Sequence, residues 1–86
     1  MKVKSYHNTD IRSFIQEAPL FGRLEEQVRQ LYKFNSQVPI YFYYQDEENE
    51  WISICGDSDL AIAFNHAKNT NNILRLRLVT DMKIDR

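Results

Sequence analysis

Residues 44–60, YQDEENEWISICGDSDL, contain six of the chain's twelve acidic side chains. The polar run QDEENE lies between two segments of high β-propensity, IYFYY and WISIC, and therefore predicts a turn between two antiparallel strands. Ile52 and Ile54 are predicted to face the core from the second of these strands. Gly56 and Asp57 end that strand and provide a cap for a following helix. The acidic residues are thus predicted to gather at one turn and at the adjoining start of a helix: Asp46, Glu47, Glu48, Glu50, Asp57 and Asp59.

The segment that follows predicts a helix and then a strand. Apolar residues recur at helical spacing after Asp57, at Leu60, Ala63, Phe64 and Ala67. In ILRLRLV, residues 73–79, leucine and arginine alternate, as is typical of a strand with one buried face. Arg75 and Arg77 are therefore predicted to face solvent. The residues predicted to face the core are Leu74, Leu76 and Leu78.

The residues before the quoted stretch predict a hairpin, a helix and a strand. Residues 1–7 and 10–16 are two short β-type runs, with Asn8 and Thr9 at the tip between them. After Pro19, apolar residues at helical spacing predict the helix: Leu20, Leu24, Val28 and Leu31. The complete order is ββαββαβ, and each helix has a single apolar stripe. We therefore predict an α+β fold with a mixed sheet and both helices on one face.

Length and composition indicate one small soluble domain. The chain has 86 residues, of which 43% are hydrophobic and 27% charged, enough for one modest core. We predict that residues 1–80 form the domain and that residues 81–86 are a flexible tail. Cys55 is the only cysteine, which excludes an internal disulfide and fits a reducing, cytoplasmic location. No run of about 18 apolar residues occurs, so no membrane span is expected.

Positive charge lies towards the two ends of the chain and negative charge in the middle. Six of the eleven basic residues fall within residues 1–33 and the other five within residues 68–86, while the net charge is -1. A fold that pairs the first and last strands would place the bases on one side of the molecule and the acidic turn on the other. The residues that would then share one solvent-exposed face of the sheet are Lys2, Lys4, Arg75 and Arg77.

The acidic stretch resembles the signature of Phox and Bem-one (PB-one) domains, known as the octicosapeptide/Phox/Cdc/atypical-kinase (OPCA) motif. In that motif an aromatic residue precedes alternating acids, a strand, a second acid pair and a leucine. The corresponding residues here are Tyr44, Asp46, Glu48, Glu50, Ile52, Ile54, Asp57, Asp59 and Leu60. Two positions differ from the usual pattern, since Asn49 replaces a glycine and Gly56 replaces a small hydroxyl or acidic residue. The resemblance covers residues 2–79 and implies a ubiquitin-like β-grasp fold.

The same family has a basic hallmark on its first two strands, and the N-terminal hairpin resembles it. Lys4 in KVKSY corresponds to the first-strand lysine, and Arg12 in DIRSF corresponds to the second-strand arginine. Many relatives carry another arginine where this chain has Ser13. Arg75 resembles a basic residue that some members have on the last strand. Regular alternation would place Arg12 on the same side as Phe14, so a bulge or a strand end is expected near Arg12.

The resemblance implies an interaction module that pairs head to tail with other PB-one domains, identical or heterologous, and is therefore an oligomer. The implied acidic surface comprises Asp46, Glu48, Glu50, Asp57 and Asp59, and the implied basic surface comprises Lys4, Arg12 and Arg75. Such a module would serve a larger scaffold, autophagy-receptor or signalling protein. Two alternatives remain open: an acidic-only domain that binds a basic partner, and a ubiquitin-like or Ras-binding-type module that recruits partners through a strand edge.

Other classes of function are disfavoured by the sequence. The run DEENE offers oxygen ligands, but Trp51 stands where an EF-hand requires glycine, so no metal site is predicted. His7 and His66 have no nucleophile in a catalytic setting, and we predict neither enzymatic activity nor a cofactor. The net charge of -1 and the small number of bases disfavour nucleic-acid binding.

Overall fold

The computed structural model describes residues 1–80, and the tail predicted at residues 81–86 lies outside the described residues. Seven elements follow one another in the predicted ββαββαβ order, and the α+β class is confirmed. They are β1 (Lys2–His7), β2 (Asp10–Ile15), α1 (Phe21–Tyr32), β3 (Ile40–Gln45), β4 (Trp51–Ile54), α2 (Asp57–Lys68) and β5 (Ile73–Thr80). Within this range, neither helix has the length and apolar character needed to cross a membrane.

The five strands form one mixed sheet in the order β2-β1-β5-β3-β4. β1 and β5 pair in parallel, which places Lys4 beside Arg75, and all other neighbouring strands are antiparallel. The hairpin of β1 and β2 therefore occupies one side of the sheet, and the hairpin of β3 and β4 occupies the other. This order places the acidic turn between β3 and β4 far from the first-strand lysine.

Both helices pack on the same face of the sheet. Leu24 and Val28 of α1 and Leu60 of α2 have no exposed surface. Phe42 of β3 is only 1% exposed and meets the ring of Phe21 edge to face, with ring centroids 5.4 Å apart. The other buried apolar residues are Val3, Tyr44, Ile54, Ala63, Phe64, Ala67, Leu74, Leu76 and Leu78. The apolar stripes predicted for α2 and β5 are thereby confirmed.

Two residues that were predicted to face the core lie at its margin instead. Leu20 is 52% exposed. The helical spacing of apolar residues starts at Leu20, but α1 itself begins at Phe21, so Leu20 is the N-cap residue and lies outside the buried stripe. Ile52 lies on the helix side of β4, but β4 is an edge strand, and 37% of Ile52 is exposed. Sequence periodicity identifies the face of a residue but not its distance from the edge of the core.

The turn between β3 and β4 depends on Asn49, whose backbone is left-handed with a φ of 63°. Its N–H donates to the Asp46 carbonyl at 3.0 Å and closes the turn. A β-branched side chain is strained in this conformation, so we expect Asn49→Val to lower the free energy of unfolding by about 1–2 kcal/mol in urea denaturation. The matched control, Asn49→Gly, should change it by less than about 1 kcal/mol, because glycine adopts the conformation without strain. Equal losses in the two variants would contradict this account of the turn.

Candidate docking surfaces

Asp46 organises the turn that carries the first part of the acidic surface. Its Oδ1 accepts hydrogen bonds from the backbone N–H groups of Glu48 and Glu50, each at 2.9 Å. Its own N–H donates to the Glu50 carbonyl, also at 2.9 Å. An aspartate at this position satisfies turn donors from its side chain, which holds the loop in one shape. The turn therefore fixes the backbone from which the two glutamates extend.

The carboxylates of Asp46, Glu48 and Glu50 converge on one another. One oxygen atom from each lies within 4.8 Å of the others, and both glutamates are exposed. An ammonium or guanidinium group placed among them could form several charge-assisted hydrogen bonds at once.

The other two acids of the surface lie in the first turn of α2. Asp59 Oδ2 accepts a hydrogen bond from the Cys55 N–H at 2.9 Å, and Asp57 Oδ1 accepts one from the Phe21 N–H at 2.7 Å. The cap predicted for α2 is therefore wrong in one respect: Gly56 is the N-cap and makes no side-chain bond, while Asp57 caps the start of α1. Both carboxylates are held in place by one backbone bond, and each has a second oxygen available.

Asp57 is expected to contribute to stability as well as to docking, because it satisfies a donor at the positive end of α1. We expect Asp57→Ala to lower the free energy of unfolding by about 1–2 kcal/mol, as for the loss of a helix N-cap. Asp57→Asn keeps an acceptor oxygen and should lose less than about 1 kcal/mol. Thermal or urea denaturation of both variants measures the difference. An unfolding free energy unchanged in Asp57→Ala would show that the bond to Phe21 has no structural role.

Tyr44 was named as the aromatic residue of the acidic motif, whereas the sequence did not place His66 in this region. Burial, and then the nearby carboxylates of Asp46, Glu47 and Asp59, raise the pKa of the Tyr44 hydroxyl. His66, in the last turn of α2, places its Nδ1 3.5 Å from Glu47 Oε1 in the β3–β4 turn. The contact joins residues far apart in sequence, and no local pattern could have predicted it.

The predicted cationic face of the sheet is present. Lys4 of β1 is paired with Arg75 of β5, and Lys2 and Arg77 lie on the same face two positions away along the same strands. Their strand neighbours Val3 and Leu74 point to the core. Among residues 1–80, no carboxylate forms an ion pair with any of these four bases. Lys4 and Arg75 thus present positive charge that is not neutralised by the domain itself.

Arg12 lies on the other face of the sheet. The pairing of β1 with β2 is regular from Lys2 to His7, so the bulge expected near Arg12 is wrong, and Arg12 sits opposite the buried Ser5. Its guanidinium bonds Asp10 at 3.2 Å and the Leu31 carbonyl at 3.0 Å, and lies 5.2 Å from the Tyr32 ring centre. The side chain of Arg12 therefore links β2 to α1. The β2 residue that lies beside Lys4 is Ser13, which carries no charge.

Lys4 is separated from the acidic surface within the molecule, whereas Arg75 lies on β5, the strand next to β3. β1 is two strands from β3 and three from β4, which corresponds to roughly 10–15 Å at the usual strand spacing. That distance exceeds the screening length of about 8 Å at physiological ionic strength. In the part of the chain that the structure describes, the sole basic side chain within ion-pair distance of an acid in the β3–β4 turn is His66, which is charged only when protonated. The two surfaces therefore remain available to other molecules.

A five-stranded mixed sheet with two helices on one face, in this order, defines an α+β protein of the ubiquitin-like β-grasp class. Residues 1–81 match the family model of the PB1 domain, the short form of Phox and Bem-one, and the chain belongs to that family. PB1 domains are protein–protein interaction modules.

Two solved structures are similar to this chain. One, titled "AtNBR1-PB1 domain", is 15% identical, with a TM-score of 0.76 and coverage of 94% of this chain and 97% of that chain. The other, titled "Cryo-EM structure of AtNBR1-PB1 filament (L-type)", is 18% identical, with a TM-score of 0.75 and the same coverage of 94% and 97%. The search of curated proteins found no match. At these identities the structural likeness establishes the fold.

Proposed function

We propose that this PB1 domain associates head to tail with further copies of itself. The acidic surface of one copy, Asp46, Glu48, Glu50, Asp57 and Asp59, would receive the basic residues Lys4 and Arg75 of the next. The observation that carries the proposal is the separation of Lys4 from the acidic turn by two or three strands, with no ion pair between the acidic and basic residues in residues 1–80. The domain would bind and position other molecules rather than catalyse a reaction.

A contact of this kind does not end at a dimer. Each copy uses one surface as acceptor and leaves its other surface open, so the interface is heterologous and generates a ring or a filament. The similar AtNBR1 PB1 structure is titled as a filament, which supports the same type of assembly for this chain.

The strength of the contact depends on several charges acting together. One exposed ion pair contributes about 0.2–1 kcal/mol, which is too little to hold two domains. Lys4 inserted among three converging carboxylates could form charge-assisted bonds of about 1.5–3 kcal/mol each before desolvation and ordering costs. The interface is therefore expected to be polar and to weaken as salt is added.

Light scattering against protein concentration and salt tests the proposal. At low salt the apparent mass should rise with concentration above the monomer mass of 10.3 kDa, and at about 1 M salt, where screening is nearly complete, it should return to that value. Sodium chloride and potassium glutamate series would separate general screening from specific anion effects. A mass that is independent of concentration at every salt level would contradict self-association.

A specific observation favours one second candidate, an acidic-only domain that pairs with a basic partner. Arg12 is already bound to Asp10 and Leu31, and Ser13 takes the place of another base, so Lys4 has less support than in a fully basic surface. In that case the chain alone would remain monomeric, yet it would bind a lysine- and arginine-rich PB1 domain. The binding would be lost in Asp46→Lys and kept in Lys4→Glu.

A further inference from the structure

The face of the sheet opposite the helices carries an aromatic and cationic patch that the proposed docking does not use. It lies on β5, β3 and β4, beside the Lys4–Arg75 pair, and we call it the aromatic face: Arg77, Val79, Tyr41, Tyr43 and Trp51. Tyr41 is 49% exposed, Trp51 41% and Val79 38%. Large apolar groups clustered on an open surface commonly mark an interaction site.

Arg77 is the centre of this patch. The strand register places it between Tyr6 of β1 and Tyr43 of β3, and its guanidinium carbon lies 5.7 Å from the centre of the Trp51 ring. A guanidinium stacked on an indole is held in one orientation while its N–H groups stay free to bind an acceptor. Within residues 1–80 no ion pair engages Arg77.

The charge on this side of the sheet identifies the kind of ligand. The strand positions that share the open face carry four bases, Lys2, Lys4, Arg75 and Arg77, and no acidic residue. Asp10, the acid within β2, pairs with His7 and lies on the helix side. A ligand for the aromatic face is therefore negatively charged where it meets Arg77.

The apolar part of the patch sets a second requirement. Val79 is paired with Tyr41 and lies two residues from Arg77 on β5, so the cationic and apolar positions are about 7 Å apart. In an extended peptide, side chains two residues apart lie on the same face and are also about 7 Å apart. A carboxylate and an apolar side chain two residues apart could thus contact Arg77 and the Val79–Tyr41 pair together.

We infer that the aromatic face binds an extended acidic peptide in which carboxylate and apolar side chains lie two residues apart. A single-stranded nucleic acid could also stack on aromatic rings beside arginine. It fits less well, because its continuous negative charge would meet the acidic turn that immediately precedes Trp51 on β4. The chain's sequence pI of about 6.1 also differs from the basic character of nucleic-acid-binding domains.

Fluorescence anisotropy with three labelled probes tests this inference. The first probe repeats Glu-Ser-Ile-Ser, the second replaces each glutamate by glutamine, and the third is oligouridine. We expect the protein to bind the glutamate peptide at least about tenfold more tightly than the glutamine peptide, and more tightly than oligouridine. Equal binding of the two peptides, or tighter binding of oligouridine, would overturn the inference.

Matched variants locate the site and separate it from self-association. Arg77→Gln and Trp51→Ala should each weaken binding of the glutamate peptide about tenfold, whereas Lys68→Gln, a charge removal on α2, should leave it within about twofold. Circular dichroism and urea denaturation check that each variant is folded. Arg77→Gln should also leave the mass in light scattering unchanged. If it abolishes self-association instead, the aromatic face belongs to the contact between copies, and the inference fails.

Discussion

Lys4→Glu is expected to weaken self-association by about two orders of magnitude. Truncating one partner of a desolvated charge pair costs about 2–5 kcal/mol, and reversal adds repulsion from the acidic surface of the neighbouring copy. Lys4 is the central base of the proposed surface, since it is half-buried, adjoins Arg75 and has no ion-pair partner among residues 1–80. Sedimentation velocity over a range of concentrations measures the change.

Lys68→Glu is the control for this prediction, because it makes the same change in net charge at an exposed site on α2. It should alter the association constant by less than about threefold at physiological salt, where charges beyond roughly 8 Å are screened. Equal losses in Lys4→Glu and Lys68→Glu would show that net charge alone, rather than a specific contact, governs assembly.

Phe42→Ala is expected to lower the free energy of unfolding by about 3–5 kcal/mol, a large part of the stability of a domain of this size. Phe42 is 1% exposed, lies on β3 between the neighbouring strands β4 and β5, and packs against Phe21 of α1. Removing its ring leaves a cavity that the rigid sheet cannot close. Urea denaturation followed by circular dichroism measures the loss.

Tyr41→Ala is the matched control, because Tyr41 is the preceding residue on the same strand and faces solvent with 49% of its surface exposed. Its loss should be less than about 1 kcal/mol. A similar loss in the two variants would contradict the assignment of the two faces of β3. Such a result would also place the aromatic face in the core.

Much of the fold follows from local sequence patterns. Alternation at Leu74, Leu76 and Leu78 identifies the buried face of β5 and therefore the exposed face of Arg75 and Arg77. Helical spacing identifies the buried stripe of α2 in the same way. The acidic turn is also local, because Asp46 bonds to residues two and four positions ahead. These features depend on interactions within a few residues, which a single sequence records.

The remaining features depend on contacts between distant segments. The Asp57 carboxylate was predicted to cap α2, but it accepts a hydrogen bond from the Phe21 N–H at the start of α1, 36 residues earlier in the chain. The bulge or strand end expected near Arg12 is wrong, because the regular β1–β2 register places Arg12 on the helix side of the sheet with Phe14. The aromatic face requires the strand order that places β5 beside β3, and Trp51 reaches Arg77 only in that order. The roles of the acidic and basic residues in docking stay predictions until they are measured.

Mixing Lys4→Glu with Asp46→Lys tests the central claim most directly. Each variant keeps one intact surface: the acidic surface in Lys4→Glu and the Lys4 and Arg75 surface in Asp46→Lys. Each alone should be monomeric at 10.3 kDa, and the equimolar mixture should form a complex of twice that mass that does not grow with concentration. Assembly of either variant alone to the size of the wild-type chain, or a mixture that stays monomeric while the wild type assembles, would contradict head-to-tail docking through these two surfaces.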